Sequence, residues 1–266
     1  FDAWGLQDSG LDNLGRDRRA LEPEKDFRGR IFWNHRQLLG DGYQLTGEVG
    51  VISDRNFLEQ YYEREWDEDK DQITGIELKR ITENMSWGID TNIRTNNFHT
   101  QTDWLPRFTH DWLGKSRFAE RLTWYEHTHV GYAKLKTADA PDDPGELAKF
   151  DLMAGEEQVY NGLRAASRQE IDMPMQWGAV KVVPYMLGEV AYWGEDINHQ
   201  SATRTYGQLG LRVNLPMTRT DPNIKSKLFN VNGVSHKINW TMDAYWADAS
   251  EEMIMFPRYD ALDLSL

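Results

Sequence analysis

The sequence predicts an all-β protein, an antiparallel meander of about ten long strands that forms a segment of a transmembrane outer-membrane β-barrel. Three observations predict it. Apolar and polar residues alternate with period 2 through several stretches of about ten residues. Soluble strands mostly run about 5–6 residues, whereas a membrane strand tilted near 45° needs about 9–11. The connections alternate between tight turns (around 40–42, 83–84 and 174–176) and longer polar loops (54–71, 135–157 and 194–202). Outer-membrane barrels have that asymmetry. Lastly, the mean hydropathy is only −0.71, yet the chain holds 11 Trp, 11 Tyr and 10 Phe. Disordered chains are poor in aromatics, and in a barrel the lipid-facing and lumen-facing residues cancel in any hydropathy window.

The 266 residues suffice for one large β domain or two ordinary ones. No run of about 18 apolar residues occurs, so no transmembrane helix is expected. The chain has no cysteine, which excludes disulfides and thiolate metal sites. A net charge of −13 argues against nucleic acid, whose phosphates need clustered Lys and Arg. The start at Phe1, without a basic-then-apolar leader, reads as that of a processed product or an excerpt.

A polar N-terminal segment, residues 1–27, precedes the β region, residues 28–248, and residues 249–266 read as a loop or tail. Strands are expected at about 28–39 and 43–53, split by the hairpin signal "GDG". A charged loop, "SDRNFLEQYYEREWDEDKDQ", follows. The next pair, 72–82 and 85–95, meets at "TENMS". In "MSWGIDTNIR", Met85, Trp87, Ile89 and Ile93 lie on one face and Asp90, Asn92 and Arg94 on the other. Segments 100–109 and 117–134 are separated by "DWLGKS", and "TADAPDDPGEL" is a loop by composition. "AKFDLMAGEEQ" has room for one helical turn. Segments 158–173 and 177–193 are joined by "PMQWG"; 203–217 and 236–247 flank "TRTDPNIKSKLFNVNGVS", which reads as a long loop where a turn is due.

At "RGRIFWNHRQLLGDGYQLTGEVGVISDRNFLEQYYEREWD" the chain resembles the LptD/OstA family of lipopolysaccharide-assembly proteins. The "SDRNF" loop is the most specific piece. "TDWLPRFTHDWLG", "RLTWYEHTHVGYAKL", "SRQEIDMPMQWGAVKVVPY" and "NVNGVSHKINWTMDAYWAD" are similar at the level of pattern, so the likeness runs from about Arg28 to Asp248. The resemblance implies part of a barrel of more than twenty strands in the cell outer membrane. It also implies lipopolysaccharide or a similar amphiphile as cargo, a lipoprotein plug, and a periplasmic transport bridge. The implied role is non-catalytic, with no cofactor. A passive porin-like or structural barrel is the alternative within that class, and a soluble Trp-rich carbohydrate-binding or carbohydrate-cleaving β protein the alternative outside it.

The candidate site residues follow from the alternation. Glu48, Asp90, Asn92, Arg94, Arg164, Arg168, Arg212 and Lys237 are the expected lumen-facing polar residues. Glu170, Glu189 and Asp243 are acids able to pair with these cations, and the plain reading is a cross-strand salt-bridge ladder. Trp87, Trp124, Trp193, Trp240 and Trp246 sit near strand ends, where girdle aromatics meet the membrane–water interface. In "EHTH", His127 and His129 share a strand face, as two ligands of a metal would; the sequence offers no third ligand, and no metal is assigned. "YYEREWDEDKD" mixes acids and aromatics, but an acid–base pair needs carboxylates fixed about 5–10 Å apart. Pro106, Pro184 and Pro216 fall in or at the end of strands and are expected at bulges, rims or weakly paired edges.

Overall fold

A computed structural model describes residues 1–15, 18–68, 73–152 and 158–259. Ten long strands form the predicted antiparallel meander: β4 (Phe27–Gly40), β5 (Tyr43–Ile52), β6 (Thr74–Thr82), β7 (Met85–Ile93), β8 (Gln101–Arg117), β9 (Leu122–Lys136), β10 (Tyr160–Asp172), β12 (Val180–Trp193), β13 (Ala202–Ser226) and β14 (Val231–Ala249). The N-terminal segment adds β1 (Asp2–Gln7), which pairs with β4 as an edge strand, and a separate two-stranded ribbon, β2 (Asp12–Asn13) with β3 (Arg19–Leu21). The short β11 (Met175–Trp177) folds back on β12. The sheet does not close: β1 and β14 are its two edges.

Register assigns every side chain to a face, because residues directly opposite in an antiparallel ladder point the same way. One face gathers Ile31, Trp33, Ile76, Trp87, Ile89, Phe108, Val130, Leu163, Ile171, Met186, Val190, Leu209, Ile238, Trp240, Met242 and Trp246. The other gathers Glu48, Asp90, Asn92, Arg164, Arg168, Glu189, Arg212 and Asp243. Burial is inverted relative to a soluble sheet. Val190 is 56% and Met186 54% exposed on the apolar face, while Arg164 is 1% and Glu189 5% exposed on the polar one; at the edge strand β14 both faces are exposed. Polar-face side chains also meet across an intervening strand: Arg212 of β13 reaches Glu170 of β10 at 2.7 Å, and the Tyr185 hydroxyl of β12 donates to Asp243 of β14 at 3.2 Å. A sheet bent towards that face brings them together.

Tight turns gather at one end of the meander and long loops at the other. The turns lie at 41–42, 83–84, 118–121 and 227–230, and around β11. At the first of them Gly42 holds φ +81°, and a Cβ there would meet the Ile81 carbonyl oxygen at 2.0 Å, so only glycine fits. The long-loop end holds the core. Trp104, Ala133, Leu135, Tyr160, Ala191 and Trp193 pack there against Phe256 and Tyr259.

Three expectations are corrected. "DWLGKS" is strand, not turn: β8 runs through it and reverses at 118–121, where Phe118, Ala119 and Glu120 take positive φ. "TRTDPNIKSKLFNVNGVS" is largely strand as well, because β13 continues to Ser226 over a bulge between Asp221 and Lys225 and turns tightly at 227–230. The charged loop after β5 is partly helical, with α1 (Phe57–Tyr61) and α2 (Glu63–Asp67), because Phe57 and Leu58 bury an apolar edge; its residues 69–72 lie outside the described residues. The tail docks on the sheet: Met253, Met255, Phe256 and Tyr259 pack into the core. A further helical turn, α3 (Pro144–Leu147), lies in the loop after β9, with Asp143 as its N-cap. The turn of α3 runs on into the start of "AKFDLMAGEEQ", where the Ala148 and Lys149 amides donate to the Pro144 and Glu146 carbonyls, and 153–157 lie outside the described residues.

Candidate functional site: the polar face

The polar face carries two clusters built from the same parts, one arginine and three carboxylates. At the long-loop rim, Arg28 of β4 is fully buried. Its guanidinium makes two hydrogen bonds to Asp54, at 2.8 and 3.0 Å, and bonds Asp12 at 2.5 Å and Asp8 at 3.3 Å. Asp54 belongs to the "SDRNF" stretch, so its acid anchors the loop to the sheet while Phe57 seals it. Tyr61 donates to Asp8. Burial and that bond push the Tyr61 phenol up to about 12, and the same bond helps hold the Asp8 carboxyl below its usual range. Asp12 is shifted the other way, because burial outweighs its bond to Arg28. Alongside, Arg18 ties Glu59 of α1 to Glu146 of α3.

Midway along the strands, Arg212 bonds Glu170 at 2.7 Å and Asp172 at 3.4 Å, and lies 3.7 Å from Asp243. Its guanidinium stacks 3.8 Å above the Tyr185 ring. That ring covers Gly210, where a Cβ would approach its atoms to 2.3 Å; a bare backbone at this point lets the aromatic lie flat. This cluster is open. The Arg212 side chain is 39% exposed, and a cavity of about 510 Å³ beside it is lined by Asp172, Lys181, Val183, Asn214 and Thr241.

The other expected lumen residues spread along the same face. Glu48 accepts from Asn34 on the neighbouring strand. Asp90 pairs with Arg107 at 3.1 Å, and Asn92 bonds the Trp104 amide at 2.9 Å and the Thr102 carbonyl at 3.1 Å. Arg168 stands opposite His127 and Glu189, and Lys237 is exposed opposite Thr218. Arg164 is buried with its guanidinium 3.9 Å from the Trp193 ring. Arg94 is a correction: it lies beyond the end of β7 and donates to the carbonyls of Asn97, His99 and Thr137, pinning two loops.

Four of the five expected interface tryptophans occupy the apolar face: Trp87, Trp124, Trp240 and Trp246. Cations attend the aromatics near the tight turns. Arg80 lies over Tyr43, Lys115 over Trp112 and Arg117 over Trp124, and Trp112 meets Trp124 edge-on at 4.5 Å. Trp193 is the exception. It is fully buried on the polar face, stacked 4.1 Å from Phe256. The parity of β12 carries this signal, since Trp193 lies four residues from the inward Glu189.

The "EHTH" residues divide between faces. His127 pairs with Asp111 at 2.5 Å on the polar face, while Glu126 pairs with His110 at 2.5 Å on the apolar one. Two further polar pairs lie on the apolar face: Thr128 with Ser167 at 2.9 Å, and Trp124 with Gln169 at 2.8 Å. Among the described residues no group of three or more His, Asp or Glu side chains could hold a metal ion. Chemically, the polar face offers paired charges, amides and hydroxyls, suited to holding a polar group by many hydrogen bonds. No protein-family model matches the chain, and no curated protein matches it.

Proposed function

We propose that this sheet is a segment of an outer-membrane β-barrel that transports and inserts lipopolysaccharide or a similar amphiphile, as the resemblance to the LptD/OstA family implies. One observation carries the membrane part: a largely apolar face is left exposed across the sheet while Arg28, Arg164 and Glu189 on the opposite, polar face are buried. Soluble monomers rarely expose contiguous apolar patches beyond a few hundred Å², whereas a barrel in lipid needs apolar residues outward and polar ones inward. The polar pairs within the apolar face support this reading, because polar groups in hydrocarbon must satisfy one another. The two unpaired edges fit a segment of a larger barrel, since a spanning sheet leaves no open edge in lipid.

In this reading the polar face receives the sugar-rich head while acyl chains remain in the bilayer, and no bond is made or broken. The lipoprotein plug and the periplasmic bridge belong to the same proposal. Extraction tests the membrane part: the protein is expected in the membrane fraction and released only by detergent. A chain that is soluble without detergent would sink the proposal. Ile89→Lys on the apolar face should destabilise the reconstituted protein by about 2–4 kcal/mol if the residue lies near the bilayer midplane, read from unfolding in lipid. A photo-crosslinker at Arg212 capturing labelled amphiphile separates a transporter from a passive pore.

A further inference from the structure

The β13–β14 hairpin outgrows the sheet. The last β12–β13 pair is Lys181 with Asn214, yet β13 continues to Ser226 and stays paired with β14. The twelve residues beyond Asn214 make a finger roughly 40 Å long at about 3.3 Å per residue, projecting past the tight-turn end.

Its chemistry is opposite to that of the rest of the chain. Residues 216–237 carry four cations, Arg219, Lys225, Lys227 and Lys237, against one acid, Asp221, a net charge of +3 in a chain of −13. All four cations are exposed, and none is in an ion pair among the described residues. At the tip, Leu228 is 86% exposed, Phe229 75% and Ile224 49%. They flank Lys225 and Lys227 and touch no packed core.

We propose that this finger docks on an anionic phospholipid surface, with Ile224, Leu228 and Phe229 entering the headgroup region and the lysines facing lipid phosphates. Polybasic segments with apolar neighbours bind such surfaces by the combined effect. Addition of a partner strand is disfavoured, because Pro216, Pro222 and the bulge between Asp221 and Lys225 interrupt the open edge of β13. A protein interface is disfavoured by size: three apolar side chains at a narrow tip fall far short of the roughly 800 Å² that a specific interface buries on each partner. The inference rests on the finger alone and stands apart from the transport reading.

The full chain, held in detergent micelles or zwitterionic nanodiscs, is mixed with vesicles of phosphatidylglycerol or of phosphatidylcholine and floated. Binding to phosphatidylglycerol alone is expected, and it should weaken with added salt. With each cation contributing about fivefold, the double variant Lys225→Glu/Lys227→Glu should bind at least about 25-fold more weakly. The chain has no cysteine, so Ser226→Cys places one environment-sensitive dye beside the tip. Its emission should shift blue with phosphatidylglycerol vesicles. These positions lie in the finger beyond the last β12–β13 pair, away from the core, so the variants keep the parent's circular dichroism. Equal binding to phosphatidylcholine, undiminished binding by the charge-reversed variant, or a dye that responds to poly-glutamate but not to vesicles would overturn the proposal.

Discussion

Arg28 and Arg212 each face three carboxylates on the same side of the same sheet, yet one is sealed and the other open. Composition does not separate them; the covering does. Over Arg28 lie the loop after β5, with Phe57 and Tyr61, and the acids of the N-terminal segment. Over Arg212 lies a cavity. A buried arginine stripped of its partners, or acids stripped of their arginine, leaves charge in a medium that cannot solvate it. The Arg28 cluster is therefore an anchor for the loops. The Arg212 cluster is a lining, free to exchange one partner for another.

Substitution separates the two most sharply. Arg28→Met leaves Asp8, Asp12 and Asp54 crowded without a cation and should cost about 3–5 kcal/mol, read by denaturant unfolding, with faster hydrogen exchange through residues 53–62. A smaller effect is expected from Tyr61→Phe, about 1 kcal/mol for one lost hydrogen bond. This variant also has a pH signature. The raised Tyr61 phenol contributes stability that is fully present below its ordinary value of about 10 and is lost as the pH climbs towards about 12. The parent's loop should loosen through that window and the variant's should not, followed by hydrogen exchange. In acid, the raised Asp12 adds stability as the pH falls towards 3.8, and the depressed Asp8 then loses its contribution as the pH falls below 3.8. The smallest effect belongs to Arg212→Met, under about 1 kcal/mol for a half-exposed pair. Equal costs at Arg28 and Arg212 would show that covering is not what distinguishes them.

Much of this architecture was legible from alternation. Along β7 the split of Met85, Trp87 and Ile89 from Asp90 and Asn92 is the one the register gives. Period-2 patterning reports which residues share a face, because strand geometry enforces it. It does not report what covers a face. The docking of Phe256 and Tyr259 on Trp193 is a contact between distant segments, and nothing local in "FPRYD" announces it. Turn chemistry misled where bulges mimic turns: Gly114 has φ +96° inside β8, and Asp221 caps its own backbone at Asn223 inside β13. The "SDRNF" stretch stood out in the sequence, but its role did not. Asp54 finds Arg28 from 26 residues away.

The two bulges of β8 have a consequence for insertions and deletions. β8 has 17 residues against 15 in β9, and the surplus is one residue near Pro106 and one at Gly114. Each extra residue inverts the phase of the strand, and the second restores what the first reversed. Trp104 and Ser116, both even-numbered, therefore share a face with the odd-numbered Thr109 and Asp111 between them. Loss of a single codon at either bulge would turn part of the strand inside out, whereas loss of both would leave its two ends in step.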